Sequence, residues 1–213
     1  MIAVALLHAI APGPATAAVL TVTSADLTAY AKTYGTPATC TLSATADSYV
    51  NKVLSGTNFG TATTLLVSPD STTTERTFIR FDLASCAPAI PAGAIIQSAS
   101  LRLTVALLIT ATRTVELRSA LASWTETGVT WTNQPAAASA VTASTSVLAG
   151  STAGTVVTWT ATSDVQAFVT GASSNLGWRL SDSAEGVVLG PILTLSSREA
   201  SSGQPQLVVT YVS

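Results

Sequence analysis

Charge is what this sequence has least of. Asp, Glu, Lys and Arg make up 9% of its 213 residues, against roughly 25% in an average globular domain. Nine basic and eleven acidic residues leave a net charge of −2, which argues against a nucleic-acid groove or an electrostatic membrane dock. Histidine occurs once, as His8, inside an apolar N-terminal run, so a Ser-His-Asp relay in a folded domain is excluded. The two cysteines, Cys40 and Cys86, have no Cys-x-x-Cys spacing and no other soft ligand beside them, which excludes zinc. Glu116, Glu126, Asp182, Glu185 and Glu199 could in principle form a glycosidase pair, but no spacing among them sets two carboxylates across a cleft. The chain reads as non-catalytic. It also has no apolar run of the roughly 18 residues that a membrane helix needs, although its mean hydropathy is +0.47.

Ser, Thr, Ala and Val dominate instead, and they suit strands with a nearly uncharged surface. The first segment, residues 1–23, is an apolar arm. Ile2 to Ile10 is apolar, Pro12 and Pro14 interrupt it, and Ala15-Thr-Ala17 resembles a small-residue cleavage site, yet no Lys or Arg precedes the run. Two readings stand: an export signal, or an arm that stays and offers Val19, Leu20 and Val22 as a strand. A polar connector with Gly35 and Pro37 fills 24–38. Residues 39–213 then form the domain.

The domain reads as an antiparallel β-sandwich of jelly-roll type with one short helix. Strands are expected around 39–44, 47–53, 64–68 and 76–83. In the last of these Ile79, Phe81 and Leu83 share one face and Phe78, Arg80 and Asp82 the other. Residues 95–109 show the clearest period of two, with Leu101, Leu103, Val105, Leu107 and Ile109 inward. Residues 112–119 continue the pattern, so a hairpin turning at 111–112 is expected. Residues 136–154 read as a loop with one short strand. Ser163 is the expected cap of the helix and Gly171 its end. Strands at 155–160, 178–181, 193–198 and 206–212 complete the domain. An even cysteine count in a chain that looks exported predicts a Cys40–Cys86 disulfide.

One stretch concentrates the scarce residue types: Trp124-Thr-Glu-Thr-Gly-Val-Thr-Trp131-Thr-Asn-Gln-Pro135. Gly128 allows a bend, 129–131 alternates like a short strand, and 133–135 stops it. Glu126 is the nearest side-chain acceptor for an indole N–H. Together with Ala46-Asp-Ser-Tyr-Val50, Asn58-Phe-Gly60, Phe78-Ile-Arg-Phe-Asp82, Ala99-Ser-Leu-Arg-Leu103, Asp164-Val165, Asn175-Leu-Gly-Trp-Arg-Leu180, Ser197-Arg-Glu199 and Pro205-Gln-Leu-Val-Val-Thr-Tyr211, the stretch resembles the DNRLRE-type domain. That is a secreted β-sandwich module grouped with carbohydrate-binding modules, and the likeness runs from about Thr41 to Val212.

The resemblance implies glycan binding. Sugar rings stack on exposed aromatics, and Trp124 is the even-handed candidate between platform and core, whereas Trp131 and Trp178 read as core. Glu126, Lys52 and Arg179 are the accompanying polar candidates for an acidic polysaccharide. Calcium is the cofactor the resemblance brings in. Asp182 and Glu185, on one turn with Gly186, are the candidate ligands, with Asp47 and Asp70 as the other loop acids. Solvated turn acids are the plainer reading of all four.

Two functions follow from these readings. A weakly charged, apolar-leaning surface favours association, so the first is a non-catalytic extracellular structural protein. Copies of it would self-associate into a fibre, sheath or matrix, with the arm pairing onto a neighbour. The alternative is a secreted carbohydrate-binding module for an acidic or cell-wall polysaccharide. Both place the protein outside the cell or at its surface, without nucleic acid as partner and without a membrane in the mature form.

Overall fold

The structure, a computed structural model, describes residues 23, 35–186 and 189–213. The arm residues Val19, Leu20 and Val22 lie outside them. Strand β1, Ala38–Asn51, organises the rest. Its first half alternates, with Cys40 and Leu42 buried and Thr39, Thr41 and Ser43 exposed. A bulge between Ala44 and Ala46 then breaks the register. A bulge bends a strand and sharpens its twist, and here it divides β1 between two layers. The expected separate strands at 39–44 and 47–53 are this one strand on either side of its bulge.

The remaining strands are β2 (Thr64–Val67), β3 (Glu75–Phe81), β4 (Ile95–Thr104), β5 (Arg113–Ser119), β6 (Ala143–Val147), β7 (Val156–Thr160), β8 (Trp178–Asp182), β9 (Leu193–Ser196) and β10 (Gln206–Val212). Every pairing among them is antiparallel. The main sheet runs β6-β5-β8-β3-β1-β10-β4-β7, and β2 with β9 forms a separate ribbon. Folding at β1 brings the two outer strands near each other, where the Thr145 hydroxyl donates to the Thr158 carbonyl at 2.9 Å. The result is an all-β, nearly closed sandwich.

The main core lies between the layers and includes Leu101, Leu103, Ile79, Phe81, Leu117, Leu180, Leu207, Trp159 and Trp178. Both indoles are fully buried and both N–H groups are satisfied, Trp159 by the Val115 carbonyl at 2.9 Å and Trp178 by Asp164 at 2.8 Å. Helix α1, Thr162–Thr170, is the expected short helix and ends on Gly171 in the left-handed region, at φ 72°, where a side chain would strain the backbone. Its start differs from expectation. Ala161 holds the cap position without a side-chain bond, and Ser163 does not cap. Asp164 in the first turn instead collects the Ser119 and Thr142 hydroxyls and the Trp178 N–H.

The 95–119 hairpin does not form. β4 pairs with β10 and β7, while β5 pairs with β6 and β8. Val105 bridges to Leu195, and the chain then crosses from one layer to the other. Leu107, expected inward, is exposed in that crossover, whereas Ile109 re-enters the core. The period of two cannot reveal this, because it reports which side faces the core and not which strand lies alongside. The Cys40–Cys86 disulfide is present, with Cα atoms 5.7 Å apart. It ties the first half of β1 to the chain just beyond the one-turn helix Leu83–Ser85. No helix among the described residues is long and apolar enough to cross a membrane.

Candidate functional site

The outer face of the β1–β3–β8–β5 layer carries the unusual chemistry. In β3 the alternation that sends Thr77, Ile79 and Phe81 to the main core sends Arg76, Phe78 and Arg80 outward. Register places Arg179 of β8 directly beside Phe78, and Arg118 of β5 directly beside Arg179. Strand pairing thus lines up side chains that are far apart in sequence.

Residues 121–137 lie across part of this face and bury Phe78. Trp124, Val129, Ala120, Ala46 and Val50 complete a second small core there, with Trp131 and Leu176 at its margin. The Trp124 ring sits 5.8 Å from Phe78 and is 6% exposed; its N–H donates to the Leu176 carbonyl at 2.9 Å. Trp124 is therefore a core residue, with the Arg80 guanidinium 5.5 Å from its ring centroid. The segment 129–131 is not a strand; 129 and 130 link turns at 126–128 and 131–133. Asn133 stabilises it by accepting from the Thr130 N–H and donating to the Gly128 carbonyl.

Trp131, read as core, does pack against the second core, at its margin. It is half-buried there, and the Arg76 guanidinium lies 4.7 Å from its ring centroid. A shallow cavity of about 250 Å³ opens beside it, lined by Lys52, Ser71, Thr74, Arg76, Trp131 and Glu185. The Lys52 ammonium is held at the rim by the Ser71 carbonyl at 2.7 Å. Tyr49 and Phe59, by contrast, stack on each other with centroids 4.2 Å apart.

The arginine row has an uneven supply of counter-charge. Arg76 is gripped by both oxygens of Glu185, at 2.8 and 2.7 Å, and donates to Gln134 at 3.1 Å. Arg118 is held by Glu116 at 2.8 and 3.1 Å and by the Ala138 and Ser139 carbonyls. Arg179 lies between them, and its buried Nε has no hydrogen-bond partner among the described residues. Burial, and then the neighbouring Arg76 and Arg118 charges against the opposing pull of Glu185 and Glu116, hold the Arg179 pKa below its usual value. A buried N–H left without an acceptor is costly, and the rest of this half-buried guanidinium is open to a charge-assisted bond with a carboxylate or similar anion on this face.

The acids expected as calcium ligands each pair with an arginine. Asp182 is buried and forms a bidentate pair with Arg113, and Glu185 is committed to Arg76. Each carboxylate meets an arginine brought alongside by the fold, so the two do not converge on a common point. Asp70 caps its own turn, accepting the Thr72 hydroxyl and the Thr72 and Thr73 N–H groups, and these bonds, the hydroxyl first, hold its pKa low. Nor does Glu126 serve an indole. Its Oε1 accepts the Asp47 N–H at 2.9 Å, and both its oxygens accept from Arg198 Nη1 at 2.9 and 2.8 Å. Asp47, Glu126 and Glu199 place carboxylate oxygens within 4.8 Å of one another.

Sequence reading named Lys52 and Arg179 but missed Arg76 and Arg118 as their companions. The odd–even parity of β3 was the available signal for Arg76; nothing local signalled Arg118, because strand order decides its neighbours. A larger hollow of about 740 Å³, between 104–106, 153–154 and 199–203, has no aromatic lining residue and so offers no stacking surface.

The chain is thus an antiparallel sandwich with a half-buried indole beside cationic side chains. Residues 38–211 match the model of carbohydrate-binding module family 96, and the chain belongs to that family. A comparison with curated proteins returns no match.

Proposed function

We propose that this protein is an exported, non-catalytic carbohydrate-binding module for an acidic polysaccharide, bound on the face formed by Trp131, Arg76, Arg179 and Lys52. The DNRLRE-type likeness of its motifs belongs to the same reading. The observation that carries the proposal is Arg179, whose buried Nε has no acceptor among the described residues, set beside Arg118 and beside Arg76, the arginine that lies against half-buried Trp131. Trp131 supplies the apolar surface for a sugar ring, Arg179 the counter-charge for a sugar acid, and Lys52 a second cation at the rim. Family membership and the disulfide support action outside the cell. The self-associating fibre subunit rests on Val19, Leu20 and Val22, outside the described residues, and family membership favours carbohydrate binding over it.

Affinity electrophoresis in gels containing an acidic or a neutral polysaccharide tests the reading. The acidic gel should retard the wild-type protein and the neutral gel should not. Arg179→Gln should weaken retention about ten- to a hundredfold, the worth of a hydrogen bond between charged groups. Trp131→Ala should weaken it about tenfold. Equal retardation of wild type and both variants, or retention by the neutral polymer alone, would sink the proposal.

A further inference from the structure

Asp47 stands at the middle of β1, 1% exposed, where three chain segments meet. From the tryptophan loop comes Glu126, and from the turn after β9 come Arg198 and Glu199. β3 presents only Ile79, the register partner of Asp47, and the turn before β2 presents Asn58, neither of which titrates. The single guanidinium among these groups is already engaged. Arg198 Nη1 serves both oxygens of Glu126 and stands 3.4 Å from Glu199 Oε1. Asp47 itself receives only the Arg198 backbone N–H, at 2.8 Å. Glu199 Oε2 is buried with no donor among the described residues. Three carboxylates against one arginine leave room for a proton between Asp47 and Glu199, which would supply the missing donor.

The same cluster fastens the tryptophan loop. Besides its bonds to Asp47 and Arg198, Glu126 is held by its carbonyl, which takes the Asn58 side-chain N–H at 2.7 Å. Asn58 makes a second bond to the Val129 carbonyl, also at 2.7 Å. Gly60 packs so closely under the Glu126 carbonyl that a Cβ there would collide with it. Anything that pushes the 197–199 turn away from β1 therefore pulls on the loop that carries Trp131.

We propose that Asp47, Glu199, Arg198 and Glu126 form a proton-operated clasp that holds the 121–137 loop on the sandwich and loosens in alkaline solution. With the proton in place, Asp47 and Glu199 share a hydrogen bond. Without it, two carboxylates face each other in a site whose only guanidinium is occupied. Burial, with Glu199 and Glu126 adding to it against the Arg198 N–H, raises the Asp47 pKa to about 7. An acid whose folded pKa lies above its unfolded one stabilises the fold below the unfolded value and loses that contribution as pH rises through the folded one. That contribution therefore drains away as pH rises from the unfolded value of 3.8 to about 7, and the loosening is complete just above neutrality. The consequence for the ligand, weaker retention at alkaline pH, rests on the proposed function; the clasp does not.

Hydrogen–deuterium exchange of the 121–137 segment, corrected for the intrinsic pH dependence of exchange, tests this directly, together with melting curves. Between pH 6 and 8.5 the wild-type segment should lose about tenfold in protection, and the melting temperature should fall by about 5 °C. The chain's one histidine, His8, is in the N-terminal arm and both cysteines are in the disulfide, so few other side chains titrate in that interval. Asp47→Asn and Glu199→Gln each replace the shared proton with a neutral amide and should flatten both profiles; the second serves if the first does not fold. Unchanged wild-type protection across the interval, or the same alkaline loss in the folded variants, would overturn the clasp. If the loop loosens as expected but no polysaccharide is retained at any pH, the proposed function fails and the clasp stands.

Discussion

Trp124→Ala should lower the unfolding free energy by about 3–5 kcal/mol, the range for removing a large buried aromatic. The indole is 6% exposed and fills the second core against Phe78, Val129 and Val50. Its loss empties that space, leaves the Leu176 carbonyl without its donor and removes the ring over which Arg80 lies. Urea titration followed by circular dichroism should show a lower midpoint with a similar slope. Trp131→Ala, at the margin of the same cluster, should cost about 1 kcal/mol while weakening polysaccharide retention. The two tryptophans thus form an internal control. If Trp124→Ala melted like wild type but lost retention, and Trp131→Ala did the reverse, the roles assigned here would be exchanged.

Opening the disulfide is the second large perturbation. Cys40 and Cys86 are 46 residues apart in sequence, and the loop they close contains the second half of β1, β2 and β3. In the chain-entropy account such a crosslink contributes about 4 kcal/mol by restricting the unfolded state. The native neighbourhood is already ordered without it. Asp82 caps the helical turn Leu83–Ser85 by accepting the Ala84 N–H at 2.9 Å, and both sulfurs are buried. The Cys40→Ala/Cys86→Ala double variant should therefore keep the wild-type spectrum and unfold at a markedly lower denaturant concentration. A loss below about 1 kcal/mol would mean that the unfolded chain is already restricted in this region.

Read alone, the sequence determined features that depend on neighbours a few residues away. Alternation in β3 and β4 marked the core-facing side chains, since a pleated strand puts successive residues on opposite faces. Gly171 marked the end of the helix because few other residues accept positive φ. Two cysteines in an export-like chain sufficed for the disulfide, and the ordered motifs from Ala46 to Tyr211 for kinship with carbohydrate-binding modules. Tertiary structure decided whatever depended on which strand lies beside which. It separated β4 from β5, buried Trp124 and left Trp131 half-buried at the margin of the second core, and gave Asp182 to Arg113 and Glu185 to Arg76. It also set Arg179 between Arg76 and Arg118 and gathered Asp47, Glu126 and Glu199 from three segments. Exposure and counter-charge are sums over neighbours contributed by the whole chain. A period of two is the same whichever strand pairs with it, so the local pattern carries no record of those neighbours.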